Sequence, residues 1–116
     1  MNLVNYKGYT KEMACQRVGI GWASLINEVF NKLESITGTI RIIQVKEKYA
    51  GLRIYTDYHN DVFQNFLTDV EYRSFTICET CGAPGMVRGK NWYYTSCDAH
   101  AKCGDEPCKN QPNINR

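Results

Sequence analysis

Ile77-Cys78-Glu79-Thr80-Cys81-Gly82, answered further on by Cys97-Asp98-Ala99-His100, is the stretch that decides how the last third of this chain folds. It pairs a C-x2-C with a C-x2-H, and zinc takes four such sulfur and nitrogen donors in a tetrahedron. A C-x-x-C turn sets two sulfurs on one side of a metal. Gly82, just after it, lets the backbone curl so that amide N–H groups approach the thiolates. Pro84-Gly85 turns the chain. Met86-Val87-Arg88 and Trp92-Tyr93-Tyr94-Thr95 then pair as short strands around Gly89-Lys90-Asn91. Cys97 follows, and His100 shares its face if a helix begins there, with Gly104 and Pro107 ending that helix. Knuckle, hairpin and ligand-bearing helical turn describe a treble-clef finger. The expectation is one structural Zn2+ per chain, held by Cys78, Cys81, Cys97 and His100.

Other chemistries fit the same residues less well. A redox C-x-x-C belongs in a βα context without a nearby C-x-x-H. A catalytic zinc keeps an open position, whereas four good ligands stand here. A deaminase needs an upstream H-x-E, and His59 is followed by Asn60-Asp61. Cys103 or Cys108 is the alternative to His100, or part of a second site, although neither stands at x2 spacing from Cys97. Cys15 reads as a small buried apolar residue. A finger of this size buries too little apolar surface to stand alone, so its folding is expected to depend on metal.

The whole chain has 116 residues, the size of one small domain, and its 43% hydrophobic content suits a globular fold. The net charge of +2 does not by itself point to nucleic acid, and three thiolates with one Zn2+ lower it by one. No apolar run resembles a signal peptide or reaches the ~20 residues of a membrane span. The expectation is therefore a cytoplasmic protein with reduced or metal-bound cysteines. Three disulfides are the minor reading.

Upstream, residues 1–18 read as an irregular arm or a short helix around Lys11–Val18. Trp22, Leu25, Ile26, Val29, Phe30, Leu33 and Ile36 recur at three- and four-residue steps, predicting a helix over 21–36 stopped by Gly38. Residues 39–58 predict a β-hairpin, with Thr39–Val45 and Leu52–Thr56 as strands and Gly51 available for positive φ in the connection. Ile40 and Ile42 fall on one face of the first strand, but Ile43 and Val45 on the other, which implies two buried faces or a bulge. Val62, Phe63, Phe66, Leu67 and Val70 predict a second helix over 60–74, capped by Asn60 or Asp61. The fold class is thus α+β, with a helix–β-hairpin–helix packed on a C-terminal treble-clef-like zinc finger. The divisions are 1–76, 77–104 and a flexible tail at 105–116. A sheet apolar on both faces would rest one face on the helices and the other on the finger or on a second copy in a homodimer.

Gly21-Trp22, the run Ile43-Gln44-Val45-Lys46-Glu47-Lys48-Tyr49-Ala50-Gly51-Leu52-Arg53-Ile54-Tyr55, Ile77–Gly85 and Trp92 with Cys97–Ala101 resemble a family of small uncharacterised zinc-ribbon or treble-clef-type proteins of bacteriophages, prophages and bacteria. The resemblance covers roughly residues 20–101. It implies zinc binding and a mobile-element setting, and no catalytic residue. The Cys103 and Cys108 region lies outside it.

Lys46, Lys48, Tyr49 and Arg53 on the first hairpin, with Arg88 and Lys90 at the finger's tip, are the candidate partner-binding residues. Basic and aromatic groups together suit phosphates and bases, and Arg and Tyr also anchor protein interfaces. The plain reading is a solvated strand face. Trp92, Tyr93 and Tyr94 read as core and rim of the finger rather than a stacking platform. Asp57–Asp61 reads as a turn with an N-cap rather than an acid–base site. With no phosphate loop, serine elbow or carboxylate pair, the chain is expected not to be an enzyme. The first functional expectation, drawn from the resemblance, small size and tyrosine-rich surface, is a phage-type accessory protein of the bacterial cytoplasm that binds and inhibits a host or defence-system protein. The second is a zinc-finger nucleic-acid-binding regulator.

Overall fold

The computed structural model describes residues 8–36 and 40–112. The described residues fold as α+β, with three helices and two small antiparallel sheets. Of the two readings of residues 1–18 the short helix is the one that forms: helix α1 spans Lys11–Arg17, inside the expected Lys11–Val18, and residues 1–7 lie outside the described residues. The N-cap of α1 is Thr10, whose hydroxyl accepts the Met13 amide. A 3-10 turn, Ile20–Trp22, leads into α2 (Ala23–Ser35), and Leu25, Ile26 and Val29 form its buried stripe. The Gly38 stop and Thr39 lie outside the described residues.

Strands β1 (Ile42–Lys48) and β2 (Gly51–Thr56) form the first sheet. The double-faced apolar pattern of β1 resolves as a bulge. Its register shifts between Ile42 and Gln44, so Ile42 and Val45 are both buried and Ile43 is turned out. The connection is tighter than the sequence suggests. Tyr49 (φ 51°) and Ala50 (φ 74°) make a two-residue turn, and Gly51 is not the positive-φ residue. Gly51 is instead the place where Phe75 packs, since a Cβ there would meet the ring at 2.7 Å.

Helix α3 (Asp61–Ser74) starts at Asn60, whose side chain accepts the Phe63 amide at 2.9 Å. Phe63, Leu67 and Val70 join Trp22, the α2 stripe, Ile42, Val45 and Leu52 in one core, while Val62 points out of it. Arg73 forks onto Glu28 at 2.9 and 3.2 Å and ties α3 to α2. The second sheet pairs β3 (Met86–Arg88) with β4 (Tyr94–Ser96). Among the described residues no helix is long and apolar enough to cross a membrane.

The boundary expected at residue 76 is crossed by many bonds. The Gly21 amide donates to the Glu79 carbonyl (2.8 Å) and the Trp22 indole N–H to the Ile77 carbonyl (2.9 Å). The Thr95 hydroxyl donates to the Ala50 carbonyl (2.8 Å). Gly21 must be glycine, because a Cβ would lie 2.0 Å from the Cys78 carbonyl oxygen. The tail expected to be loose is bound as far as Gln111. The Cys108 amide donates to the Val87 carbonyl, and the Gln111 side-chain amide brackets Val87, accepting from its N–H (2.8 Å) and donating to its C=O (2.9 Å). Residues 113–116 lie outside the described residues.

Candidate metal centre

The first ligand pair sits on a knuckle. The Cys78 amide donates to the Ala83 carbonyl (2.7 Å) and the Gly82 amide back to the Cys78 carbonyl (2.8 Å), with Gly82 at φ 85°. An isolated bridge between Ile77 and Pro84 closes its base. The β3–β4 hairpin then returns the chain to Cys97. There the expected α-helix is a single 3-10 turn, Asp98–His100, in which the His100 amide donates to the Cys97 carbonyl at 3.2 Å. The chain leaves it extended at Ala101. Gly104 and Pro107 therefore end no helix; Pro107 bridges Arg88 instead.

One turn is enough to assemble the donors. The ligand atoms of Cys78, Cys81, Cys97 and His100 all lie within 4.8 Å of one another. Cys81 and Cys97 sulfurs are 3.7 Å apart, and His100 Nδ1 lies 3.2 Å from Cys97 Sγ and 3.9 Å from Cys78 Sγ. Four bonds of ~2.0–2.3 Å in a tetrahedron have edges of about 3.5–3.8 Å; the Cys81–Cys97 separation falls in that range, and the other separations, from 3.2 Å to within 4.8 Å, lie around it. They do not fit a disulfide, whose S–S distance is about 2.05 Å. The set can hold a metal ion. Cys103 is exposed, and the Cys108 thiol meets the Gly89 carbonyl at 3.4 Å, so neither joins the cluster.

The electrostatics of the knuckle suit thiolates. Burial alone would push the Cys78 thiol up, but the amides of Cys97, Cys81 and Thr80 turn towards its sulfur and lower it to about 6. Cys81 goes the other way: the Ala83 amide lowers it, yet desolvation and the adjacent Cys97 and Cys78 sulfurs leave it raised. Three sulfurs within 4.8 Å of one another cannot all carry charge cheaply without a cation among them. Glu79, between the ligands, is raised by burial although it accepts the Thr95 amide at 3.0 Å.

Nothing in the residue pattern points to the part that Arg88 plays. It is 4% exposed and donates to the Ser96 carbonyl (3.1 Å), the Asp105 carbonyl (3.1 Å) and the Asp98 carboxylate (2.7 Å). Rather than offering charge at the finger's tip, it clamps β4, the tail and the ligand-bearing turn. Three donors on one planar head make this possible. Tyr94 is similarly enclosed, its hydroxyl donating to Asp105, and burial raises it.

The remaining candidates separate by exposure and pairing. Arg53 is held by Glu71 at 2.8 Å. Lys46 and Lys48 form no ion pair among the described residues; they lie over the Tyr55 and Tyr49 rings at 5.4 and 5.8 Å. Tyr49 is 71% exposed, Lys90 is exposed, and Trp92 is 70% exposed rather than part of a core. His59 and Asp61 pair on the surface at 2.6 Å, next to the Asn60 cap. No protein-family model, curated protein or solved structure matches the chain.

Proposed function

We propose that the chain is a zinc-stapled, treble-clef-like binding protein that acts without catalysis and recognises a macromolecule with the face where the tips of its two hairpins meet. Zinc is the ion that a Cys3His tetrahedron favours, and four protein ligands leave no position for a substrate. The carrying observation is the cleft between the tips. Tyr49 from the first hairpin and Trp92 and Tyr93 from the second stand exposed around it, with Lys46 and Lys48 on its wall. Large aromatic side chains left in water together, on backbone fixed by both sheets, mark a contact surface.

A second reading, a host or defence-system protein that the chain would block, is favoured by the same three aromatics, since Trp and Tyr are the side chains that anchor protein interfaces. The test uses wild-type and Trp92→Ala proteins as baits in bacterial lysate, with and without nuclease, after one zinc per chain has been established by elemental analysis. The wild type is expected to retain a macromolecule that Trp92→Ala loses. Equal retention by both baits would reject this face.

A further inference from the structure

The two-hairpin cleft encloses about 260 Å3. That is below the ~300–1,000 Å3 of a dedicated small-molecule pocket. It suits one flat group projecting from a larger ligand better than a free metabolite. We propose that the group is an unpaired base of a single-stranded nucleic acid, stacked on Trp92 and Tyr49, with Lys46 and Lys48 meeting the flanking phosphates. This rests on the reading of the two-hairpin face as the recognition surface.

The lysines carry the charge complementarity. Neither is neutralised by an ion pair among the described residues, while Arg41 and Arg53 on the same hairpin are held by Asp57 and Glu71. The one acid on the wall, Glu47, is occupied with the turn, its carboxylate accepting the Ala50 amide at 2.7 Å. Asn91 adds a neutral polar group. Cationic stems beside exposed aromatic rings are the ingredients of sequence-tolerant strand binding. A duplex, whose base faces are covered, offers nothing to stack on.

The turn that presents Tyr49 is an independent sign. Both its residues are left-handed, a conformation that glycine or asparagine adopts far more cheaply. Ala50 is justified by the fold: it is fully buried, donates to Glu47 and accepts from Thr95. Tyr49 has no such return, since it is exposed and over a lysine. Strain held at an exposed aromatic is the pattern of a binding residue. On the facing hairpin, Gly89 (φ 108°) lets the loop fold back on itself, and a Cβ there would lie 2.1 Å from the Trp92 carbonyl oxygen.

The test titrates the zinc-loaded full chain with oligo(dT) and oligo(U) of about twelve nucleotides, and with a duplex of the same length, at low salt. Trp92 reports directly, because the other tryptophan, Trp22, is fully buried. Saturable quenching by the single strands is expected, with weaker duplex binding and a log affinity–log salt slope of about −1.4 for two phosphate contacts. Trp92→Ala, read by a labelled strand, and Tyr49→Asn should each weaken binding roughly 5- to 150-fold. Tyr49→Asn should unfold at the same temperature as the wild type or higher, which separates a lost contact from a lost fold. Lys46→Gln with Lys48→Gln should flatten the slope. Absence of single-strand binding at low salt overturns the inference, as does duplex binding of equal strength or indifference to Tyr49→Asn and Trp92→Ala. If the strands fail while a Trp92-dependent protein is retained from nuclease-treated lysate, this inference falls and the two-hairpin face stands. If Trp92-dependent retention also fails, both fall.

Discussion

The helices with the first hairpin and the knuckle with the second hairpin solve the same problem by opposite means. In the first region Trp22, Leu25, Ile26, Val29, Ile42, Val45, Leu52, Phe63, Leu67 and Val70 make a continuous apolar core. In the second, the buried side chains are Cys78, Val87, Arg88, Tyr94, Thr95 and Ser96, so polar groups match apolar ones. Burial of apolar area, at roughly 25 cal/mol per Å2, can support the first. It cannot support the second, whose buried polar groups merely exchange water for protein partners. What fixes the second region is a net of specific bonds and the tetrahedral donor set. The two are joined where the Trp22 indole and the Gly21 amide reach the carbonyls flanking Cys78.

Metal removal should break the comparison most sharply. Structural zinc contributes about 10–16 kcal/mol of apparent binding energy in small fingers, as much as the whole net stability of ~5–15 kcal/mol that a small domain has. Chelation, or Cys78→Ser, is expected to collapse the amide NMR signals of residues 78–108 while those of α2 and α3 shift but stay dispersed. A chain with every signal in place and no metal by elemental analysis would show that hydrogen bonds alone suffice.

Phe63→Ala attacks the other region. Phe63 is fully buried at the centre of the apolar core, and such truncations cost about 3–5 kcal/mol. Chemical denaturation should show that loss, while the folded fraction still binds one metal per chain. If Phe63→Ala also abolished metal binding in the folded state, the two regions would be one cooperative unit rather than two joined ones.

The apolar region was the more legible in sequence, and the reason is physical. Burial leaves a periodic trace, and Leu25, Ile26 and Val29 fall where a 3.6-residue period puts them. The apolar residues in both phases of β1 admit two readings, two buried faces or a bulge, and the bulge is the one that forms. Ligand spacing is also local, so the four donors could be named. Polar packing leaves no such trace. Arg88 reads as surface because arginine usually is, and only the fold brings Ser96, Asp98 and Asp105 around it. The tail's pairing runs through backbone groups, the Gln111 amide and the Asp105 carboxylate that accepts from Tyr94, which together have no pattern. Tyr49–Ala50 lacks the Asn-Gly signature of its turn, so the hairpin's tip, and with it the cleft, could not be placed.

Arg88→Met gives the smallest effect and the finest distinction. Methionine keeps the apolar stem but leaves the Ser96 and Asp105 carbonyls without their donor, at about 1–3 kcal/mol in all. Asp98 costs little, since its side chain is 98% exposed and water replaces the guanidinium. The metal should register the change more than the core does. Arg88 braces the turn through Ser96 and Asp98, the two neighbours of Cys97. That is one step further out than the direct partners of metal ligands, whose loss typically costs 10–100-fold in affinity, so the low end of that range applies. Competition against a chromophoric chelator should therefore show about tenfold weaker zinc binding for Arg88→Met and none for Lys90→Met on the exposed loop. Equal affinity in all three proteins would mean that the knuckle and the metal set the turn unaided, and that the polar net around Arg88 follows the site rather than building it.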